Sequence, residues 1–169
     1  MLTAALWGLV QGLTEFLPIS SSGHLVLVPA LLGIDEPDLA TTAVLHLGTL
    51  AAVVAYYRKD LLRLARVRTD PEARRILWLL LIGTIPAAVL GLTLEGPIKT
   101  VFSEPWTVAV ALMVTGGILA FSLVLPTGLR RLGEGRIPDA VVVGLAQALA
   151  LIPGISRSGM TITAGMAQG

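Results

Sequence analysis

Apolar positions in this chain fall into long blocks, with the charged positions confined between them. Residues 39–57, 76–94 and 106–125 contain no Lys, Arg, Asp or Glu. Each block is close to the ~20 residues that an α-helix needs to cross a bilayer. Pro86 lies inside the second block, where neighbouring helices can re-satisfy the backbone that a kink frees. Tyr56, Tyr57, Trp78 and Trp106 lie toward block ends, the positions of interfacial anchors. Two further stretches, 1–33 and 139–169, are apolar in short pieces around a polar centre. Pieces such as 2–13 and 25–32 are too short to span and suit re-entrant segments. The predicted fold is all-α, a single polytopic membrane domain over 1–169 with three full spans and two re-entrant helical hairpins.

The charges orient this arrangement. Seven of the twelve basic residues lie between Arg58 and Arg75, and Arg130, Arg131 and Arg136 follow the third block. Both basic connections fall on one face if the spans alternate, and the positive-inside rule makes that face cytoplasmic. Residues 34–38, with three acids, and 95–104, with Lys99 as their one base, then lie outside. The first hairpin is expected to enter from outside and the second from inside. Composition agrees: 54% of the 169 residues are hydrophobic and 14% charged, with mean hydropathy +0.83, against about 25% charged in soluble domains. A net charge of +1 gives no reason to expect a nucleic-acid partner, and the absence of Cys removes disulfides, thiolate metal sites and thiol catalysis. The first sixteen residues lack a basic leader and contain Glu15, so they read as mature fold and not as a cleaved signal.

An internal repeat relates the hairpins. Residues 8–23 and 144–159, offset by 136, agree at Gly8, Leu9, Gln11, Leu13, Ile19, Ser20, Ser22 and Gly23, eight of sixteen positions. An odd number of spans separates the copies, so the second is expected upside down, the inverted-repeat plan in which broken helices meet near the midplane. The same offset would place further spans at roughly 175–261, whereas the sequence ends at Gly169. The expectation is a chain lacking the helices that close its second half, and a homodimer is one way to cover what they leave open.

The polar centres carry the candidate chemistry. Gln11 and Glu15 share a helix face, Pro18 ends that helix, and Ser20, Ser21, Ser22, Gly23 and His24 follow. A donor-rich turn opening a helix offers amides and a positive dipole end to an anion. In the second turn Ser156, Arg157 and Ser158 stand together, and Arg157 is the sole Lys or Arg of either hairpin. A guanidinium at membrane depth is costly unless paired, and it grips phosphate in bidentate fashion. Each feature has a plainer reading: Glu15 and Arg157 as a structural ion pair, His24 as an interfacial histidine, the serines as caps and close-packing residues. His46, in mid-span, reads as an interhelical hydrogen-bonding residue. The combination of acid, hydroxyls, imidazole and guanidinium in two related turns favours function.

The motifs Gln-Gly-Leu-Thr-Glu-Phe-Leu-Pro-Ile-Ser-Ser-Ser-Gly-His at 11–24 and Pro-Gly-Ile-Ser-Arg-Ser-Gly at 153–159 resemble the two signatures of the bacterial undecaprenyl-diphosphate phosphatase, or bacitracin-resistance, family. Segments 45–49 and 83–87 are similar to family segments too. The resemblance implies a multi-pass protein of the bacterial inner membrane that hydrolyses a C55 isoprenyl diphosphate to the monophosphate and inorganic phosphate, recycling the carrier lipid of peptidoglycan synthesis. It implies Mg²⁺ or Ca²⁺, with Glu15 as metal ligand or general base, Ser21 as nucleophile, His24 as its proton-handling partner and Arg157 as the phosphate-binding arginine. Gln11, Ser20, Ser22, Gly23, Ser156, Ser158 and Thr161 are then the substrate-binding residues. Direct activation of water by Glu15 or His24 stays open beside a serine nucleophile. A polyprenyl-phosphate transporter or flippase is the rival function, and an inactive phosphatase fragment a third.

Overall fold

In the computed structural model, residues 2–101, 104–125, 128, 130 and 132–169 are described, without the side chains of 95, 97–101 and 132. The described residues form eight α-helices in order: α1 Leu2–Thr14, α2 Ser21–Leu32, α3 Leu39–Tyr56, α4 Arg58–Leu64, α5 Pro71–Val101, α6 Pro105–Ser122, α7 Ile137–Leu149 and α8 Arg157–Ala167. A 3₁₀ turn at Leu132–Glu134 precedes α7. No strand occurs among the described residues, as expected for an all-α chain.

Among the described residues, three helices are long and apolar enough to cross a membrane: Leu39–Tyr56, Pro71–Leu94 and Pro105–Ser122. Only 6% of the Leu39–Tyr56 span is buried within the chain. Leu92 and Met113 are 87% and 77% exposed, a surface that suits a hydrocarbon solvent and not water. The protein is a multi-pass membrane protein.

Two expected boundaries differ. The outside connection at 95–104 is helical through Val101, because a membrane helix absorbs the Gly96-Pro97 punctuation that would stop a soluble one; Phe102 and Ser103 of that connection, like Arg131 of the later basic one, lie outside the described residues. The basic connection after α3 is partly folded as α4, whose Arg63 bonds Asp70 at 3.3 Å and Glu72 at 2.7 Å. Asp70 caps α5 by accepting from the Glu72 and Ala73 amides. The Ala73 amide first, and then Arg63, hold the Asp70 carboxyl below its ordinary value.

Helices α1 and α2 form one hairpin, α7 and α8 another, and α6 packs against α2 and α8 through Val108, Ala111 and Thr115. Helix α1 runs alongside α3, with Gly8 facing Leu45. Helix α7 runs alongside α5 in the same direction: Arg75 donates to the Gly135 carbonyl at 2.9 Å, Gly83 meets Gly144, and Gly91 meets Leu151. Backbones nearly touch at the Gly83–Gly144 crossing, where a Cβ on Gly144 would stand 2.5 Å from the Gly83 carbonyl oxygen. Small residues that let helices approach are the usual membrane packing device. Gly144→Val should therefore cost about 1–3 kcal/mol, seen as a lower unfolding temperature in detergent. Gly12→Ala, which meets nothing within 4 Å, is the control and should not lower it. Equal behaviour of the two variants would show that the crossing does not hold the hairpin.

Candidate active site

The first turn folds around one carboxylate. Helix geometry brings Gln11 and Glu15 together, and Gln11 Nε2 donates to Glu15 Oε2 at 3.0 Å. After Pro18 the chain reverses through Ser20, which has φ +68°, a left-handed conformation costing a non-glycine residue on the order of 1–3 kcal/mol. Ser20 Oγ caps α2 by accepting from the Gly23 amide at 3.3 Å. The reversal returns Ser21 to Glu15, and its hydroxyl donates to the same Oε2 at 2.5 Å. His24 Nδ1 lies 2.8 Å from the Ser20 carbonyl; an oxygen there only accepts, so Nδ1 carries the hydrogen.

The second turn repeats the device. Ser156 Oγ caps α8 by accepting from the Gly159 amide at 3.1 Å and lies 3.1 Å from Ser158 Oγ, as Ser20 Oγ lies 3.3 Å from Ser22 Oγ. Thr115 of α6 braces this turn, donating to the Gly154 carbonyl at 2.9 Å and accepting from the Ser156 amide at 3.1 Å. Gly154 has φ +94°, and a Cβ there would stand 2.6 Å from the Val108 carbonyl oxygen. Only glycine suits both demands.

The two turns meet. Ser158 Oγ donates to the Leu17 carbonyl at 3.2 Å. Gly23 packs on Gly154, and Gly159 on the Pro18 carbonyl. Between them lies a cavity of about 140 Å³ lined by Thr14, Glu15, Leu17, Ser20, Ser21, Ser22, His46, Ala150, Ile155, Ser156, Arg157 and Ser158. At about 30 Å³ per water it has room for a phosphoryl group. The N-termini of α2 and α8 both open onto it, and helix N-termini attract anions. The cavity is level with His46 in the middle of α3 and Thr115 in the middle part of α6.

Seven sequence-predicted site residues are thus brought together: Glu15, Ser20, Ser21, Ser22, Ser156, Arg157 and Ser158. Gln11 is 1% exposed and reaches the site through Glu15. Gly23, His24 and Thr161 do not line the cavity: Gly23 serves the contact between turns, and Thr161 Oγ1 turns back to the Arg157 carbonyl at 2.9 Å. The expected Ser21–His24 pairing is not formed, because the reversal at Ser20 delivers the Ser21 hydroxyl to Glu15. A Glu15–Arg157 ion pair is not formed either among the described residues, and Arg157 is exposed toward the cavity with its guanidinium unpaired. Of the lining residues outside the expected set, Thr14 and His46 are polar, and His46 brings an imidazole. Its Nδ1 lies 2.8 Å from the Thr42 carbonyl of its own helix, so the expected interhelical bond is replaced by an intrahelical one, and the ring lines the cavity.

Among the described residues, no group of three His, Asp or Glu side chains is placed to hold a metal. Two oxygens at the turn have no hydrogen-bond partner among the described residues: Gln11 Oε1, which is buried, and Glu15 Oε1, since both bonds to that carboxylate go to Oε2. An all-oxygen set with one carboxylate fits a hard divalent cation that takes its remaining ligands from phosphate and water.

Comparison with known proteins identifies a family. The family model for bacitracin resistance protein BacA matches residues 4–169. Proteins named undecaprenyl-diphosphatase from Renibacterium salmoninarum, Desulforudis audaxviator and Micrococcus luteus are similar at 46%, 44% and 47% identity over 98%, 96% and 98% of this chain. The chain spans 62%, 63% and 64% of the length of those relatives. With a family model matched from residue 4 to residue 169 and both signature turns folded around one cavity, the chain belongs to the bacitracin resistance protein BacA family.

Proposed function

We propose that this protein hydrolyses undecaprenyl diphosphate, or a closely similar polyprenyl diphosphate, to the monophosphate and inorganic phosphate at the cavity between the two turns. The observation that carries this reading is the convergence of Glu15, two serine clusters and an unpaired Arg157 on one small cavity. Phosphoryl transfer asks chiefly for positioning and for neutralising charge on the equatorial oxygens. Arg157 supplies a fork for two phosphate oxygens, and the two helix N-termini supply amides. The Ser21–Glu15 hydrogen bond supports Glu15 as the base that takes the Ser21 proton as Ser21 Oγ attacks the terminal phosphorus. The lipid monophosphate leaves with the bridging oxygen, and water then releases the phosphate from Ser21. A Mg²⁺ or Ca²⁺ ion held by Glu15, with the Gln11 amide oxygen beside it, would neutralise phosphate charge. His24, held by the Ser20 carbonyl, shapes the turn and not the proton transfer.

We also place the hairpins on opposite faces, meeting near the midplane. The packing of α1 beside α3 and of α7 along α5 in the same direction supports this placement, since consecutive spans of a multi-pass chain alternate in direction. The bacterial inner membrane is the site of such a substrate, and the basic connection carrying α4 faces the cytoplasm.

Phosphate release from C55 diphosphate, by the chain in detergent with Mg²⁺ or Ca²⁺, tests the reading. Release that requires the divalent ion is expected. Movement of the labelled lipid across a vesicle membrane without release would assign the cavity to a transporter instead.

A further inference from the structure

We infer that His46 is a phosphate-binding residue of this site and faces the phosphate that stays on the lipid. The inference rests on the proposed lipid-diphosphate reading and assigns a residue that the two signature turns do not contain.

His46 is what α3 contributes to the polar cavity. It also borders a second, apolar groove with Ala43, Leu47, Leu50 and Val53, and Glu15 borders both. Glu15 and His46 therefore mark the junction between a polar chamber and an apolar channel along α3. A lipid diphosphate is polar at one end and apolar along the rest, and only one orientation suits the pair of spaces. The terminal phosphate goes in with Arg157 and the serines, and the hydrocarbon runs out along α3. The lipid-side phosphate then sits at the junction, beside His46.

The ring is prepared for this task. The Thr42 carbonyl at 2.8 Å accepts from Nδ1, which fixes the ring and leaves Nε2 for another partner. Among the described residues no protein group takes Nε2. Nε2 and a phosphate oxygen beside it share one proton, as N–H···O or as O–H···N. Arg157, on α8, then reads the terminal phosphate, and His46, on α3, the lipid-side one.

Binding separates the two roles without needing turnover. The ligands are a C15 isoprenyl methylene-diphosphonate, whose bridge cannot be hydrolysed, and the C15 monophosphate, each titrated into the protein in micelles. A hydrogen bond to a charged group contributes enough for about a tenfold change in Kd or more. His46→Ala should weaken both ligands about tenfold, and His46→Gln, which keeps an N–H, should recover part of the loss. Arg157→Ala should weaken the diphosphonate more than the monophosphate. If His46→Ala leaves both affinities unchanged while Arg157→Ala weakens the diphosphonate, the inference fails and the phosphatase reading stands. If His46→Ala weakens the diphosphonate alone, His46 faces the terminal phosphate and the orientation is overturned. If the parent binds neither ligand, the phosphate site itself is wrong and His46 falls with it.

Discussion

Arg157→Ala should lower phosphate release from a C55 diphosphate by about a thousandfold or more, with little change in the stability of the protein. The rate effect follows from what the guanidinium faces. It lines the cavity without an acidic partner among the described residues, so its charge is left for the substrate. An arginine that stabilises a transferring phosphoryl group contributes on the order of 10³–10⁵ in rate. The stability effect is small because the side chain is exposed and takes part in no core contact that truncation would empty. Ser156, Ser158 and Thr115 hold the turn without it. Arg157→Lys should recover only part of the rate, since an ammonium is a point charge without the planar fork. Thermal melts beside phosphate-release rates check both halves. A loss below tenfold would move anion binding onto the two helix N-termini and leave Arg157 peripheral.

Glu15→Gln should be nearly as damaging, by about 10²–10⁴ in rate. Glu15 Oε2 accepts from Gln11 Nε2 and from the Ser21 hydroxyl. A glutamine can offer its amide oxygen to the same donors, so the turn keeps its shape while the base and its charge are lost. Ser21→Ala then decides what attacks. If Ser21 Oγ is the nucleophile, Ser21→Ala falls as far as Glu15→Gln and the double variant falls little further, as groups acting as one unit do. Labelled phosphate would also be trapped on the parent protein and not on Ser21→Ala. If a water attacks instead, Ser21→Ala removes one hydrogen bond to phosphate and costs about tenfold.

The sequence made the plan of this molecule readable where short-range rules apply. Spacing by four placed Gln11 beside Glu15, the Pro18 stop and the serine run placed the start of α2, and an uncharged run of about twenty residues marked each span. Long-range and rotational facts were not readable. No periodicity says that the backbone at Ser20 turns left-handed, and that turn sends Ser21 to Glu15 and away from His24. His46 looked like one polar residue in an apolar helix, because its role depends on which face of α3 meets the tip of the first hairpin. The repeat at an offset of 136 showed that the turns are related, but the contact between them, Ser158 to Leu17 and Gly159 to Pro18, belongs to the folded chain. The continuation of α5 through Gly96 and Pro97 was hidden for another reason: punctuation learned from water-soluble helices is weaker in a bilayer.

The contact from Ser158 to Leu17 joins residues 141 positions apart, which sets a schedule for biosynthesis. At about 5–20 residues per second on the ribosome, the first hairpin waits on the order of ten seconds for its partner. Its turn is built for the wait: Gly23, His24, Gln11 and Ser21 all bond within the hairpin itself. The second turn leans on Thr115, a residue translated before it. The internal hydrogen bonds of each turn therefore come from chain already made, and vectorial synthesis can bring the two turns together without breaking them.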